Sequence, residues 1–212
     1  MDRICFFLFF IHFWSYSQKN IDNSKIEKYC FELHNQLRDS TRHRTVNKDC
    51  KKASDYQVDY LFNNHLITHS NSTPGYEKPV DRFEKFMSEK VTVKDRFNPK
   101  TIHTHLKYEY DGEIATWSKG YEFLNDSLLE FNIAKHIITN FKNSKSHFQR
   151  MIQTSCCDFK QNGYFSTRVR ILRCNEDTKM IRLEIYCVAI FGKEYPYRDF
   201  YVYDPETGKF ID

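Results

Sequence analysis

Residues 181–191, IRLEIYCVAIF, alternate without a break. Ile181, Leu183, Ile185, Cys187, Ala189 and Phe191 fall on one side of an extended segment. Side chains in a strand point to opposite faces in turn, so this pattern specifies a strand with one face on a core. The other face carries Arg182, Glu184, Tyr186, Val188 and Ile190, a mixture that predicts partial cover. Residues 164–173 alternate less regularly. The turn-like Asn175-Glu176-Asp177-Thr178 lies between the two segments, so a β-hairpin is expected. It puts Cys174 and Cys187 on neighbouring strands without setting them opposite each other.

Ahead of the hairpin the period changes. Ile26, Tyr29, Cys30, Leu33 and Leu37 recur at helical spacing, and Ala53, Tyr56, Tyr60 and Leu61 lie on one side of a second helix over 51–66. Residues 38–49 read as a basic, polar loop, and NSTPG at 71–75 as a turn. Pro79 suits the first turn of a short helix, PVDRFEKFM, where its missing N–H is not needed. Ser127 and Glu130 have capping-box spacing before a helix with Leu129, Ile133, Ala134, Ile137, Ile138 and Phe141 on one face. A short helix is expected next, at 146–152. Residues 88–125 show no clean period, and 193–212 fit either a final strand or a tail. Helices first and strands last make the chain α+β.

With 212 residues, 40% of them apolar and 17% aromatic, the chain can bury one sizeable core and is not of disordered composition. Its net charge of +4 comes without a Lys/Arg block, which argues against nucleic acid and supports only a weak preference for anionic surfaces. Arg3 precedes an apolar run at 4–14, and Ser15 and Ser17 supply small residues after it. The run is shorter than the roughly 20 residues that span a bilayer, so a secretory signal peptide over 1–17 is expected. A polar lead-in at 18–25, a domain over 26–192 and an extension over 193–212 complete the organisation. No later segment reads as transmembrane.

Secretion governs how the cysteines read. Cys5 leaves with the signal peptide. Cys30, Cys50, Cys156, Cys157, Cys174 and Cys187 remain as disulfide candidates in an oxidising compartment, with no connectivity chosen by the sequence. Asn71 and Asn125 head N-x-S/T sequons and are glycosylation candidates. No CxxC pair suggests a thiolate zinc site. Walker, GxGxxG, HExxH and GxSxG motifs are absent, so nucleotide binding and the common hydrolase chemistries have no handle. Nine histidines are left as candidate metal ligands. His103 and His105 alternate as on one strand face. His43, His65 and His136 read as surface or helix-edge residues. Ser70 beside His69, and Ser146 beside His147, are sequence neighbours, which does not supply triad geometry.

The order of several short motifs resembles the CAP superfamily, the cysteine-rich secretory, antigen 5 and pathogenesis-related-1 proteins that share the SCP domain. Asn35-x-x-Arg38 resembles its N-x-x-R, and His69-Ser70 the HS that ends its second helix. Pro79-Val80-Asp81-Arg82-Phe83 is similar to the P-F-D-R stretch of the divergent, bacterial-like branch. Gly112-Glu113-Ile114-Ala115 is similar to G-E-N-I/L-A with Ile for Asn, and Phe141-x-x-Ser144-x-x-His147 to W-x-x-S-x-x-H with Phe for Trp. The resemblance implies an α-β-α sandwich around a mostly antiparallel sheet. It also implies a cleft where His69, Glu113 and His147 meet, without a counterpart of the family's second glutamate.

The expected function is binding more than turnover, since no enzymatic reaction is shared across that fold. The resemblance implies a secreted protein with an extracellular protein or a lipid or sterol as partner. Zinc or another divalent metal is the candidate cofactor, held by His69, His147 and Glu113, or with Glu113 fixing a histidine tautomer. The alternatives are a metal-assisted hydrolase with Glu113 as general base, and a structural domain with a vestigial cleft.

Overall fold

The computed structural model describes residues 21–153, 160–195 and 200–211. The expected signal peptide, the start of the polar lead-in, and Cys5, Cys156 and Cys157 lie outside the described residues. Among those described run five α-helices: α1 (Asn23–Asn35), α2 (Lys48–Asn64), α3 (Pro79–Phe86), α4 (Leu129–Asn143) and α5 (Lys145–Ile152). The strands are β1 (Thr45–Val46), β2 (Lys90–Asp95), β3 (Ile102–Leu106), β4 (Tyr108–Leu124), β5 (Gln161–Asn175), β6 (Met180–Glu194), β7 (Phe200–Asp204) and β8 (Lys209–Ile211).

The expected hairpin is β5–β6, and β6 runs through the middle of the main sheet, ordered β1-β5-β6-β4. All its pairings are antiparallel except the short one of β1 with β5. The alternation of β6 separates two cores. Ile181, Leu183, Ile185, Cys187, Ala189 and Phe191 pack with Ile26 and Cys30 of α1 and with Ile133, Ile137 and Phe141 of α4. Tyr186, Val188 and Ile190 pack with Ala53, Val58 and Leu61 of α2 and Phe83 of α3. The second face is therefore covered from Glu184 to Ile190, with Arg182 left exposed, and even Glu184 is only 1% exposed. Arg170 Nη1 donates to Glu184 Oε2 at 2.6 Å, which answers that buried charge. Helices cover both faces of a mostly antiparallel sheet, so the fold is an α-β-α sandwich of the α+β class.

Helix boundaries follow caps more than apolar spacing. The backbone N–H of Lys25 donates to Asp22 Oδ1, so α1 begins ahead of Ile26. Asn47 Oδ1 accepts from the N–H groups of Asp49 and Cys50, which starts α2 at Lys48 instead of 51. The capping box expected at Ser127 and Glu130 does not form. The Leu128 N–H donates to Asp126 Oδ1 at 2.8 Å, Leu128 itself is the N-cap, and Glu130 is buried. Ser144, with extended backbone, ends α4 and begins α5.

The segments without a clean period become strands. β2 joins β3, β7 and β8 in a second sheet ordered β3-β2-β7-β8, which takes in the C-terminal extension. Val93 is the one fully buried residue of β2, and β3 has none, so neither shows an apolar alternation. In β4 the pairing register shifts between Tyr110 and Gly112 and again between Lys119 and Tyr121, and each bulge resets the phase. No described helix is long and apolar enough to cross a membrane.

Several sequence candidates change character. Asn71 is buried, and its Nδ2, the atom a glycan would need, donates to Gln57 Oε1 at 3.2 Å. It is a structural side chain and not an acceptor site. Asn125 is half-buried. The four described cysteines, Cys30, Cys50, Cys174 and Cys187, are free thiols. Cys174 pairs with Ile181 and Cys187 with Thr167, so these two are separated by about 20 Å along the strands. Burial raises the Cys50 thiol to about 12, and burial beside Cys30 raises Cys187 well above the ordinary thiol value.

His34 of α1 is fully buried, stacked on Phe191 at 5.4 Å, and neither ring nitrogen has a hydrogen-bond partner among the described residues. Burial, then Arg44, Arg38 and His43, hold it well below the usual imidazole value. The neutral ring is favoured in the folded state, so its stability contribution is present above about pH 6.5 and is lost as pH falls below it. Urea unfolding at pH 7 and pH 5 should show a lower midpoint at pH 5. His34→Phe, which keeps the ring stack, should shrink that difference by up to about 1.4 kcal/mol per pH unit.

Candidate functional site

β4 is an edge strand of the main sheet, and its rim is one of the two places where the helical layers can approach each other. Gly112 and Glu113 occupy that position. Gly112 has φ +139°, and a Cβ there would stand 2.5 Å from Cδ of Arg150 on α5. Only glycine permits both the backbone and the close approach. Arg150 Nη1 then donates to the Asp111 carbonyl at 2.7 Å, which ties α5 to the bulge. Asp111 is also held by buried Arg44, whose Nη2 donates to Oδ2 at 3.0 Å. Burial first of all lowers the Arg44 guanidinium to about 10.

Beyond the bulge, the Glu113 side chain is fully buried and points toward the α2–α3 layer. Its two oxygens have separate partners. Oε1 lies 3.0 Å from His69 Nδ1, and Oε2 accepts from Arg82 Nη2 at 2.8 Å. Arg82 sits on α3, wholly buried, and also donates to the carbonyls of His69 at 2.9 Å and Tyr76 at 2.9 Å. One arginine thus neutralises the carboxylate and fixes the backbone that carries the histidine. Facing a carboxylate oxygen, Nδ1 of His69 carries the proton, and Nε2 keeps its lone pair.

His147 arrives from the opposite layer, in the first turn of α5. Its ring is packed edge-on against buried Phe141 at 5.5 Å, and the ring centroids of His69 and His147 are 6.4 Å apart. Burial, then His69, depress its protonation below the usual imidazole value, so it is neutral at pH 7. His147 therefore offers a lone pair toward the His69 ring.

His69, Glu113 and His147, each drawn from a different part of the sequence, come together, and Phe141 is the core anchor under His147. Glu113 is the partner of His69, in the tautomer-fixing arrangement that is one of the two expectations for it. Among the described residues, no group of three or more His, Cys, Asp or Glu converges as a metal cage. Asn35 and Arg38 are structural. Asn35 exchanges two 3.0 Å hydrogen bonds with the backbone of Arg44, while Arg38 binds the carbonyls of Arg42 and Met151 and the side chain of Gln161. His103 and His105 lie side by side on β3, 5.7 Å apart, and His136 Nε2 pairs with Ser118 Oγ. Ser146 Oγ contacts Ser144 Oγ, which leaves no serine–histidine pair at His147.

Two residues that border the cleft, Arg82 and Tyr110, carry little signal in the sequence. Nothing in the spacing of Arg82 separates it from a solvent-facing arginine, and the Pro79–Phe83 resemblance is the only signal near it. Tyr110 gives no signal either. It lies beside Glu113, and burial together with that carboxylate pushes its hydroxyl well above the ordinary phenol value.

Arg82→Met leaves Glu113 buried with one charged partner removed. Urea unfolding should show a loss of about 3–5 kcal/mol, and adding Glu113→Gln should recover much of it, since the uncompensated charge carries most of the penalty. Comparison of the chain with protein-family models, with curated proteins and with solved structures finds no match.

Proposed function

We propose that this is a secreted, extracellular binding protein of the CAP type, and that its cleft takes one divalent transition-metal ion on His69 and His147. The observation that carries this reading is the chain Arg82–Glu113–His69, which holds the His69 ring by Nδ1 with its centroid 6.4 Å from that of His147. A carboxylate that orients a ligating histidine is the usual support for such a site. Two imidazoles on one tetrahedral ion stand about 5 Å apart, ring to ring, with bonds of roughly 2.0–2.1 Å, so the pair at 6.4 Å must close by about 1 Å on binding, which exposed His69 can supply. Imidazole donors suit zinc, copper or nickel better than calcium or magnesium. When bound, the ion supplies a Lewis-acidic centre with positions open to a donor group on a partner. His69 is exposed at the cleft mouth, which favours a protein partner over an enclosed lipid or sterol.

The hydrolase alternative needs Glu113 to reach a water as a general base. Its side chain is fully buried and held by Arg82, which speaks against that role. The structural alternative, with the histidines satisfied by hydrogen bonds and the cleft vestigial, would be favoured by side chains pointing apart; the approach of the His69 and His147 rings to 6.4 Å supports the metal reading instead.

Calorimetric titration with zinc at pH 7.5 should give one equivalent bound. Glu113→Gln should weaken it by about 10–100-fold, and His147→Ala by more than that. Affinity should fall as pH drops below about 6.5, where imidazoles take up protons. Equal binding by wild type and His147→Ala, or no binding by either, rules out the metal role.

A further inference from the structure

We infer that the recess between α3, the end of β3 and the start of β4 is a binding site for an organic ammonium ion. Its volume is about 430 Å³, inside the span of roughly 300–1,000 Å³ common to small-molecule sites. The rings of Phe83, Tyr108, Tyr110 and Tyr195 line it, and the carboxylates of Glu84 and Glu109 stand among them. No lysine or arginine is among its described lining residues. The faces of aromatic rings carry negative potential, and rings combined with carboxylates are what recognises an alkylammonium group that sheds its water. An anion would be repelled, and a neutral lipid would have to strip the carboxylates of water with nothing in return.

The walls are set in advance. Phe83 meets Tyr110 edge-on at 5.8 Å, and His105 stacks on Tyr195 at 5.4 Å, 17° from parallel. The Tyr108 ring already draws a cation: Lys107 Nζ lies 5.4 Å from its centroid while it pairs with Glu89 at 3.1 Å. Glu84 is exposed at the rim and has no ion-pair partner among the described residues. Glu109 shares a half-exposed pair with Lys193 at 3.5 Å, the kind of contact that contributes little and yields easily to a competing cation. The site is separate from the histidine cleft in its ligand chemistry, and Tyr110 is the residue that borders both. Its occupant is a quaternary ammonium group, carried by a choline-like solute or by a choline lipid headgroup, which present the same cation.

Choline and 3,3-dimethyl-1-butanol, its uncharged isostere, separate charge recognition from simple fit. Titrated into the full chain by calorimetry, choline should saturate one site, and the isostere should bind about tenfold or more weakly. Glu84→Gln should weaken choline by about threefold to tenfold and leave the isostere unchanged. Tyr108→Leu should weaken choline more than the isostere, with an unchanged urea midpoint showing that the variant is folded. Cosedimentation with phosphatidylcholine vesicles, sensitive to Glu84→Gln, would identify the source as a lipid surface. Choline binding without vesicle binding would identify a soluble quaternary ammonium ion. Equal affinity for choline and its isostere, or no saturation by choline, overturns the inference.

Discussion

A strand buried on both faces forces everything around it. β6 has pairing partners on both edges and helices on both sides, so most of its side chains are withdrawn from water. Such a strand is stable only when each face finds its own apolar layer. α1 and α4 supply one and α2 and α3 the other. The layers then meet past the sheet's edges, because the interior is already filled. β4 forms one of those edges, and the bulge at Gly112 bends it where α3 and α5 both touch it.

That edge explains the chemistry of the cleft. Glu113 can be withdrawn from water because Arg82 lies opposite it in the same low-dielectric layer, and the remaining oxygen is left for His69. A buried pair of this kind gives little net stability against an apolar alternative, but it fixes direction. The direction matters here, since a histidine held by one nitrogen presents the other in a defined orientation. His147 needs no such tether. It is set by the Ser144 break and by its packing on Phe141.

Legibility in the sequence tracked burial. The β5–β6 hairpin, α4, and the proline-led α3 could all be read, because one periodic face or one residue of fixed conformation marks each. The span 88–125 could not. β2 and β3 are too exposed to alternate, and β4 carries two phase shifts that erase the period within a single strand. Ser127-x-x-Glu130 had the right letters for a cap, yet Asp126 reached the backbone first. The sequon at Asn71 failed for a related reason: local sequence does not reveal that Gln57, a helix away, takes up the side chain.

By itself the sequence determined the α+β class, the hairpin and the main helices, because local periodicity and proline stereochemistry act over a few residues; His69, Glu113 and His147 stood out only through the order of short motifs that resembles a known family. The tertiary structure decided which of those residues meet and what each does there. It closed the second face of β6, drew the last strands into a second sheet, and turned Glu113 from a candidate ligand into the anchor of His69. These outcomes depend on Arg82, whose role arises only when α3 is laid across the β4 edge. Burial of a charge and the partner that answers it are properties of the packed chain, and no short stretch of sequence carries them.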